Sequence, residues 1–269
     1  MTAVSHVEST PRERRFGVFL AAEAGLWLSL YAVYFVIRGE TIAGAQQAMA
    51  NARSVVDIER ALGLAHERVV QDAIGTADYL GTFFAHYYEL GFFPVVIAGL
   101  VYLARVDRVR YRDTRNIMLV AIGVAMVMFL LLPVAPPRLV PDLGIADTVG
   151  MDTHDTGTKY GVRYNPYAAM PSMHVGWTLL IGIAVFLTAR HLITKVLAAA
   201  YPVLMTIAVI ATGNHYILDA IVGAVIALGA LVVWRWYAGP VSSQEERASA
   251  HSSRRLPRAS DPSAATRSG

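Results

Sequence analysis

With 269 residues, 55% of them hydrophobic and only 16% charged, and a mean hydropathy of +0.44, the chain is too apolar for a water-soluble domain, in which about a quarter of residues carry charge. Its 21 Arg and 2 Lys leave a formal charge of +3, but they sit in loops and tails and not on one face, which argues against nucleic-acid binding. The absence of cysteine excludes disulfides, thiolate nucleophiles and cysteine metal sites.

An all-α membrane bundle is expected, because a helix needs about 20 mainly apolar residues to cross the hydrocarbon core. Residues 1–15 read as a cytoplasmic tail. Six stretches then approach spanning length: Phe16 to Ile37, Tyr79 to Leu103, Ile117 to Val134, Pro171 to Ala189, Leu192 to Ala211 and Tyr216 to Tyr237. The first exceeds a signal-peptide core of about 7 to 15 apolar residues, so it reads as a retained anchor. Between the first two spans, Ala45 to Gly75 places Ala52, Val55, Val56, Ile58, Leu62 and Leu64 at helical spacing, as expected for an amphipathic helix on the outer interface. Residues 16–238 form one membrane domain. The tail 239–269 is Ser, Arg, Pro and Ala with almost no large apolar residue, and reads as disordered and cytoplasmic.

Basic residues concentrate in cytoplasmic loops. The short loop holding Arg105, Arg108, Arg110, Arg112 and Arg115 sets the direction. With that loop and both termini inside, 16 of the 23 basic residues are cytoplasmic and 7 are outside.

Polar residues within spans are costly and mark function. Three clusters hold them: Ala135-Pro136-Pro137-Arg138, Pro171-Ser172-Met173-His174, and Asn214-His215-Tyr216-Ile217-Leu218-Asp219. The topology drawn from positive charge alone puts all three on the outer face. His215 and Asp219, four apart, share a helix face, so Asp219 can accept a proton from one ring nitrogen and leave the other as a nucleophile. His174, from another helix, suits proton donation to a leaving oxygen. Pro171 fits a first helical turn, and Ser172 adds a hydroxyl beside the free amides of a helix N-terminus that can bind phosphate. Arg138 can offer a bidentate guanidinium to phosphate oxygens, although taken alone it reads as an interfacial anchor.

At these residues the chain resembles the type 2 phosphatidic acid phosphatase superfamily, whose pattern is Lys-x6-Arg-Pro, Pro-Ser-Gly-His and Ser-Arg-x5-His-x3-Asp. The resemblance runs from about Pro133 to Gly223. It implies a helical bundle, chemistry that needs no metal or cofactor, and a covalent phosphohistidine. His215 would be the nucleophile, Asp219 its orienting partner, His174 the acid and base, and Ser172 and Arg138 phosphate ligands. The chain departs from the pattern at Leu131 for Lys, Leu139 for Pro, Met173 for Gly, and Ala208 and Val209 for Ser-Arg, so two phosphate-binding cations are missing.

These departures, with Asn165-Pro166-Tyr167-Ala168-Ala169-Met170 ahead of the Pro-Ser-Met-His motif, resemble the branch of inositolphosphotransferases and sphingomyelin synthases. That branch implies head-group transfer between lipids. Lys159 and Arg163 in the outer loop, together with Asn214 and His86, are further candidates for substrate contact. Glu89, one turn deeper than His86, and Glu23 are secondary candidates, equally readable as buried polar partners between helices. The aromatic run from Phe83 to Phe93 reads as packing.

The expected partners are a lipid phosphate or phospholipid and the bilayer itself; the oligomeric state stays open. Two other classes compete: a lipid transporter, which would show broken helices and paired repeats that the sequence does not display, and an assembly protein with a degenerate site.

Overall fold

The computed structural model describes residues 11–40, 44–75, 79–150, 158–159, 162–163 and 166–239, with only the backbone described at 11–15, 20, 35–40, 158–159 and 162–163. Both expected tails fall largely outside the described residues, at 1–10 and 240–269, although Pro11 to Arg15 already belong to the first helix.

Nine helices occupy the described residues. Four are long and apolar enough to cross a membrane: α1 (Pro11–Glu40), α6 (Arg108–Leu131), α8 (Leu192–Ala211) and α9 (Ile217–Ala238). A fifth candidate span consists of two pieces, α4 (Tyr79–Leu90) and α5 (Phe93–Val106), bent by 52°. The sequence reads there as one uninterrupted helix. Pro94, inside the first turn of α5, cannot continue a helix from upstream, since it lacks an N–H and clashes with the preceding turn. At the break the Tyr201 hydroxyl donates to the Gly91 carbonyl at 2.9 Å and lies 3.1 Å from that of Phe92, which also accepts the Val96 N–H at 3.0 Å.

The sixth expected span is α7 (Met173–Thr188), of 16 residues. At 1.5 Å per residue it is about 24 Å long, short of the ~30 Å hydrocarbon core. Pro171 lies before this helix and not in its first turn, with Ser172 as the N-cap.

α7 is the hub of the bundle, packing on α5, α6, α8 and α9. Apolar side chains gain little by leaving lipid for protein, so such contacts rely on close backbone approach through small residues. Gly176 and Gly223 serve the α7–α9 crossing: a Cβ on Gly176 would lie 2.9 Å from the Gly223 carbonyl oxygen, and one on Gly223 only 2.1 Å from that of Ser172. Gly182 lets α7 meet α8 in the same way, at 2.6 Å from the Ala198 carbonyl oxygen.

The segment expected as one amphipathic helix is two, α2 (Ala45–Leu62) and α3 (Glu67–Ile74). Gly63, at φ 69°, ends α2: its N–H reaches the Arg60 carbonyl while the Leu64 N–H reaches that of Glu59. The stripe Ala48, Ala52, Val55, Val56 and Glu59 is buried against the end of the bundle, whereas Ile58 and Leu62 are exposed. The Asn51 amide donates to the Pro133 carbonyl at 2.8 Å, and the Ala135 N–H to that of Ala48 at 3.1 Å. These two helices therefore cap the bundle.

Between α6 and α7 the chain makes two 3-10 turns, Pro137–Leu139 and Pro141–Leu143, and a short antiparallel hairpin, β1 (Thr158–Lys159) with β2 (Val162–Arg163). The C-terminal ends of α6 and α8 and the N-terminal ends of α7 and α9 converge beneath the cap. Arg105, Arg110 and Arg235 lie at the opposite end, where Glu23 pairs with Arg115. Glu23 is thus a structural partner, remote from the three clusters.

Gly223→Val should destabilise the protein by at least the about 1–3 kcal/mol typical of overpacking. Gly229→Ala, where nothing lies within 4 Å of the added Cβ, should not. Thermal melting of both variants in detergent checks the contrast.

Candidate active site

His215 lies in the turn between α8 and α9. Its N–H and that of Asn214 both donate to the Val209 carbonyl at 3.1 Å, which ties the turn to the end of α8. The imidazole is buried. Its Nδ1–H donates to the Ala169 carbonyl at 2.7 Å, and Asp219 Oδ2 stands behind it at 3.4 Å from the same nitrogen. A neutral ring with its proton on Nδ1 carries its lone pair on Nε2. The sequence assigns this orienting role to Asp219 alone; the structure gives the shorter contact to a backbone carbonyl. Asp219, fully buried, also accepts the Tyr216 N–H at 2.9 Å, bracing the start of α9.

The same residue reaches α7. The Ser172 N–H donates to the Asp219 carbonyl at 3.0 Å, so the beginnings of the two histidine-bearing helices are joined directly. His174, in the first turn of α7, faces His215 with ring centroids 5.8 Å apart. Its ring packs on Phe92 at 4.3 Å and Tyr88 at 4.8 Å, which limits its rotation. Ser172 Oγ is buried and meets no hydrogen-bond partner among the described residues. His86 does not join the cluster: it is exposed, and its Nδ1–H donates to the Thr82 carbonyl on its own helix at 2.8 Å. Glu89 is likewise exposed. The α4–α5 contribution comes instead from Tyr88 and Phe92, which the sequence reads as packing only.

Arg138 is buried in the first 3-10 turn. One guanidinium nitrogen, Nη1, donates to the Asn214 side-chain oxygen, while Nε lies 3.6 Å from Asp147 Oδ2. Asn214 in turn donates to Thr212 Oγ1 at 2.9 Å, so its role here is to aim Arg138. Gly213, at φ 68°, gives the close turn its left-handed residue, and the Arg138 N–H donates to its carbonyl at 3.1 Å. The loop bearing Asp147 is pinned by Gln71 of α3, whose amide donates to the Ala146 and Ala211 carbonyls at 2.9 and 2.8 Å and accepts the Ala146 N–H at 2.8 Å.

At two positions where family cations are missing, the structure has no polar replacement. Leu131 is 79% exposed at the end of α6, and Val209 is fully buried in the core. The side chains of Lys159 and Arg163 lie outside the described residues. The N-terminus of α9 is also closed to a phosphate, because Glu59 Oε1 accepts the Leu218 N–H at 2.7 Å and Glu67 Oε1 the Ile217 N–H at 2.9 Å. The N-terminal amides of α7 remain as the helix-end donors for an anion. Among the described residues no group of three or more His, Asp or Glu is arranged to hold a metal.

A helical bundle with a carboxylate-backed histidine just before one helix, a second histidine in the first turn of another and a buried arginine nearby is an arrangement compatible with phosphoester chemistry. The chain belongs to the PAP2 superfamily, which it matches over residues 53–233, about two thirds of its length. That membership supports a phosphatase-type enzyme acting on a lipid phosphoester in the membrane. No curated protein matches the chain. Among solved structures it is similar to LpxE of Aquifex aeolicus, at 18% identity and a TM-score of 0.44, covering 62% of this chain and 91% of that one.

A phosphate bound at Arg138 would have to compete with Asp147, 3.6 Å from its Nε. Asp147→Asn should therefore tighten binding of inorganic phosphate several-fold, about 0.5–1 kcal/mol for removal of one nearby like charge. Calorimetric titration of both proteins measures it, and equal affinities would show that Asp147 does not oppose the anion.

Proposed function

We propose that the protein transfers a phosphorylated head group between lipid alcohols through a phosphohistidine on His215. The observation that carries this reading is the His215 tautomer: with Nδ1–H held by the Ala169 carbonyl and backed by Asp219, Nε2 carries the lone pair. The ring of His174 is 5.8 Å away. One phosphoester spans such a gap, since attack begins at about 3–3.5 Å and proton transfer at about 2.6–3.2 Å.

In the first step Nε2 attacks phosphorus, the phosphorus–oxygen bond to the departing alcohol breaks, and cationic His174 gives that oxygen its proton. In the second, neutral His174 removes the proton of an entering alcohol or water, whose oxygen attacks phosphorus as the phosphorus–nitrogen bond breaks. Asp219 stabilises the positive ring charge that builds on His215. Arg138, Ser172 and the first amides of α7 meet the phosphoryl oxygens.

The charge inventory favours a phosphodiester over a phosphomonoester. Arg138 is already opposed by Asp147, and Leu131 and Val209 supply no cation. A monoanionic diester needs less compensation than a dianion. This supports the inositolphosphotransferase and sphingomyelin-synthase-like reading, with an alcohol as the acceptor. Lys159 and Arg163 in the hairpin are proposed to meet the head group. The concentration of Arg around α5, α6 and the end of α9 supports a cytoplasmic location for that end. On a six-crossing reading, both termini share that side and the site faces outward.

Purified protein in lipid micelles containing EDTA should turn over a phosphodiester lipid, faster when a lipid alcohol is added. His215→Ala should be inactive, and His174→Ala should lose about 10²- to 10⁴-fold. Equal turnover by wild type and His215→Ala removes His215 as nucleophile.

A further inference from the structure

Outside the proposed chemistry, one arrangement of charge stands out. The first turn of any helix presents amides without intrahelical acceptors, normally capped by a neighbouring Ser, Thr, Asp or Asn. In α9 they are capped from far away in sequence. Glu67, on α3, takes the Ile217 N–H, and Glu59, on α2, takes that of Leu218. Asp219 takes the Tyr216 N–H just before them. All three carboxyl groups are buried. Burying acidic groups side by side is costly, and an apolar cap could have covered the same surface more cheaply. The positive end of the helix dipole offsets part of that cost, and only for groups aimed at the amides.

We propose that Glu59 and Glu67 are positioning residues, a carboxyl clamp reaching from the α2–α3 cap to the first turn of α9 and thereby setting where His215 points. This rests on the reading of His215 as nucleophile. His215 precedes the clamped amides by only two and three residues. It is also restrained by the Val209 carbonyl behind it, and by the Ala169 carbonyl and Asp219 at its ring. Releasing the helix start therefore moves Nε2 relative to His174.

The clamp also contains its own pH dependence. Burial, and then the negative charges of Glu67 and Asp219, push the Glu59 carboxyl up to about 8 from its ordinary value of 4.5, against the lowering effect of the Leu218 N–H. A side-chain hydrogen bond with Glu67 acts in the same raising direction. The titratable groups around it are Glu67 from α3, Asp219 and Tyr216 at the head of α9, and His215 beyond them. The folded protein holds this proton between pH 4.5 and about 8, where the unfolded chain has lost it. Stability contributed by Glu59 thus declines as pH rises across that interval. Above about 8 an ionised Glu59 faces the carboxyl groups of Glu67 and Asp219, and the clamp loosens.

The test uses the full chain in lipid micelles, with turnover and amide hydrogen exchange of residues 216–219 measured from pH 6 to 9. Glu59→Ala should lower kcat about tenfold with KM changed less than about twofold, and should speed exchange of the first turn about tenfold. Glu59→Gln keeps the acceptor oxygen without the ionisation. It should restore kcat to within about threefold and abolish the alkaline loss of exchange protection at Ile217 and Leu218 seen in wild type. Exchange and kcat unchanged in Glu59→Ala, or the same alkaline loss of protection in Glu59→Gln, would overturn the proposal. If Glu59→Ala does not fold, the pH dependence of exchange protection in Glu59→Gln decides alone. Should His215→Ala turn over like wild type while Glu59→Ala still exchanges faster, the nucleophile assignment fails and the clamp on α9 stands.

Discussion

Everything at the site depends on how closely the start of α7 can approach α9. Gly223 has no side chain to hold the two apart, so the Ser172 backbone settles against it and donates its N–H to the Asp219 carbonyl. That single contact brings together residues more than forty apart in sequence, and it sets His174 opposite His215. Because Asp219 also backs the His215 ring and braces the Tyr216 amide, one residue links the helix junction, the tautomer and the helix start. Rigid elements held by paired backbone groups place side chains more accurately than loops do, which the proposed reaction at His215 and His174 requires.

A second constraint is the scarcity of positive charge. Arg138 is the buried cation seen beside the histidines, and it is shared with Asn214 and Asp147. Catalysis with so little charge compensation has to come from preorganised donors, such as the α7 amides and the unpartnered Ser172 hydroxyl, aimed where charge develops. The proposed preference for a diester follows from this balance. The α2–α3 cap contributes carboxyl groups, and these accept the Ile217 and Leu218 N–H groups at the start of α9.

Much of this was legible in the sequence because the signals are local. Hydropathy located α1, α6, α8 and α9, the i, i+4 spacing paired His215 with Asp219, and the Arg distribution put the three clusters together at one end. The parts that were not legible are contacts carried by backbone or by distant residues. A carbonyl such as that of Ala169 has no sequence signature, and nothing near Asp147 marks it as the partner of Arg138. The break between α4 and α5 had a signal in Gly91 and Pro94, masked by the apolar run around them. Glu59 had one too: it continues the apolar stripe of Ala52, Val55 and Val56 at helical spacing, an acidic residue where packing wants none. His86 was misplaced because the bend at Gly91–Phe92 brings Phe92 and Tyr88 to His174 and leaves His86 exposed.

The most direct measurement is to quench the enzyme in alkali during turnover of a phosphodiester lipid, where phosphohistidine survives, and to map the retained phosphoryl group by mass spectrometry. The account predicts one modified peptide, carrying the group on Nε2 of His215 and absent from His215→Ala. A phosphoryl group on His174, or full turnover with no covalent intermediate at any point, would contradict it.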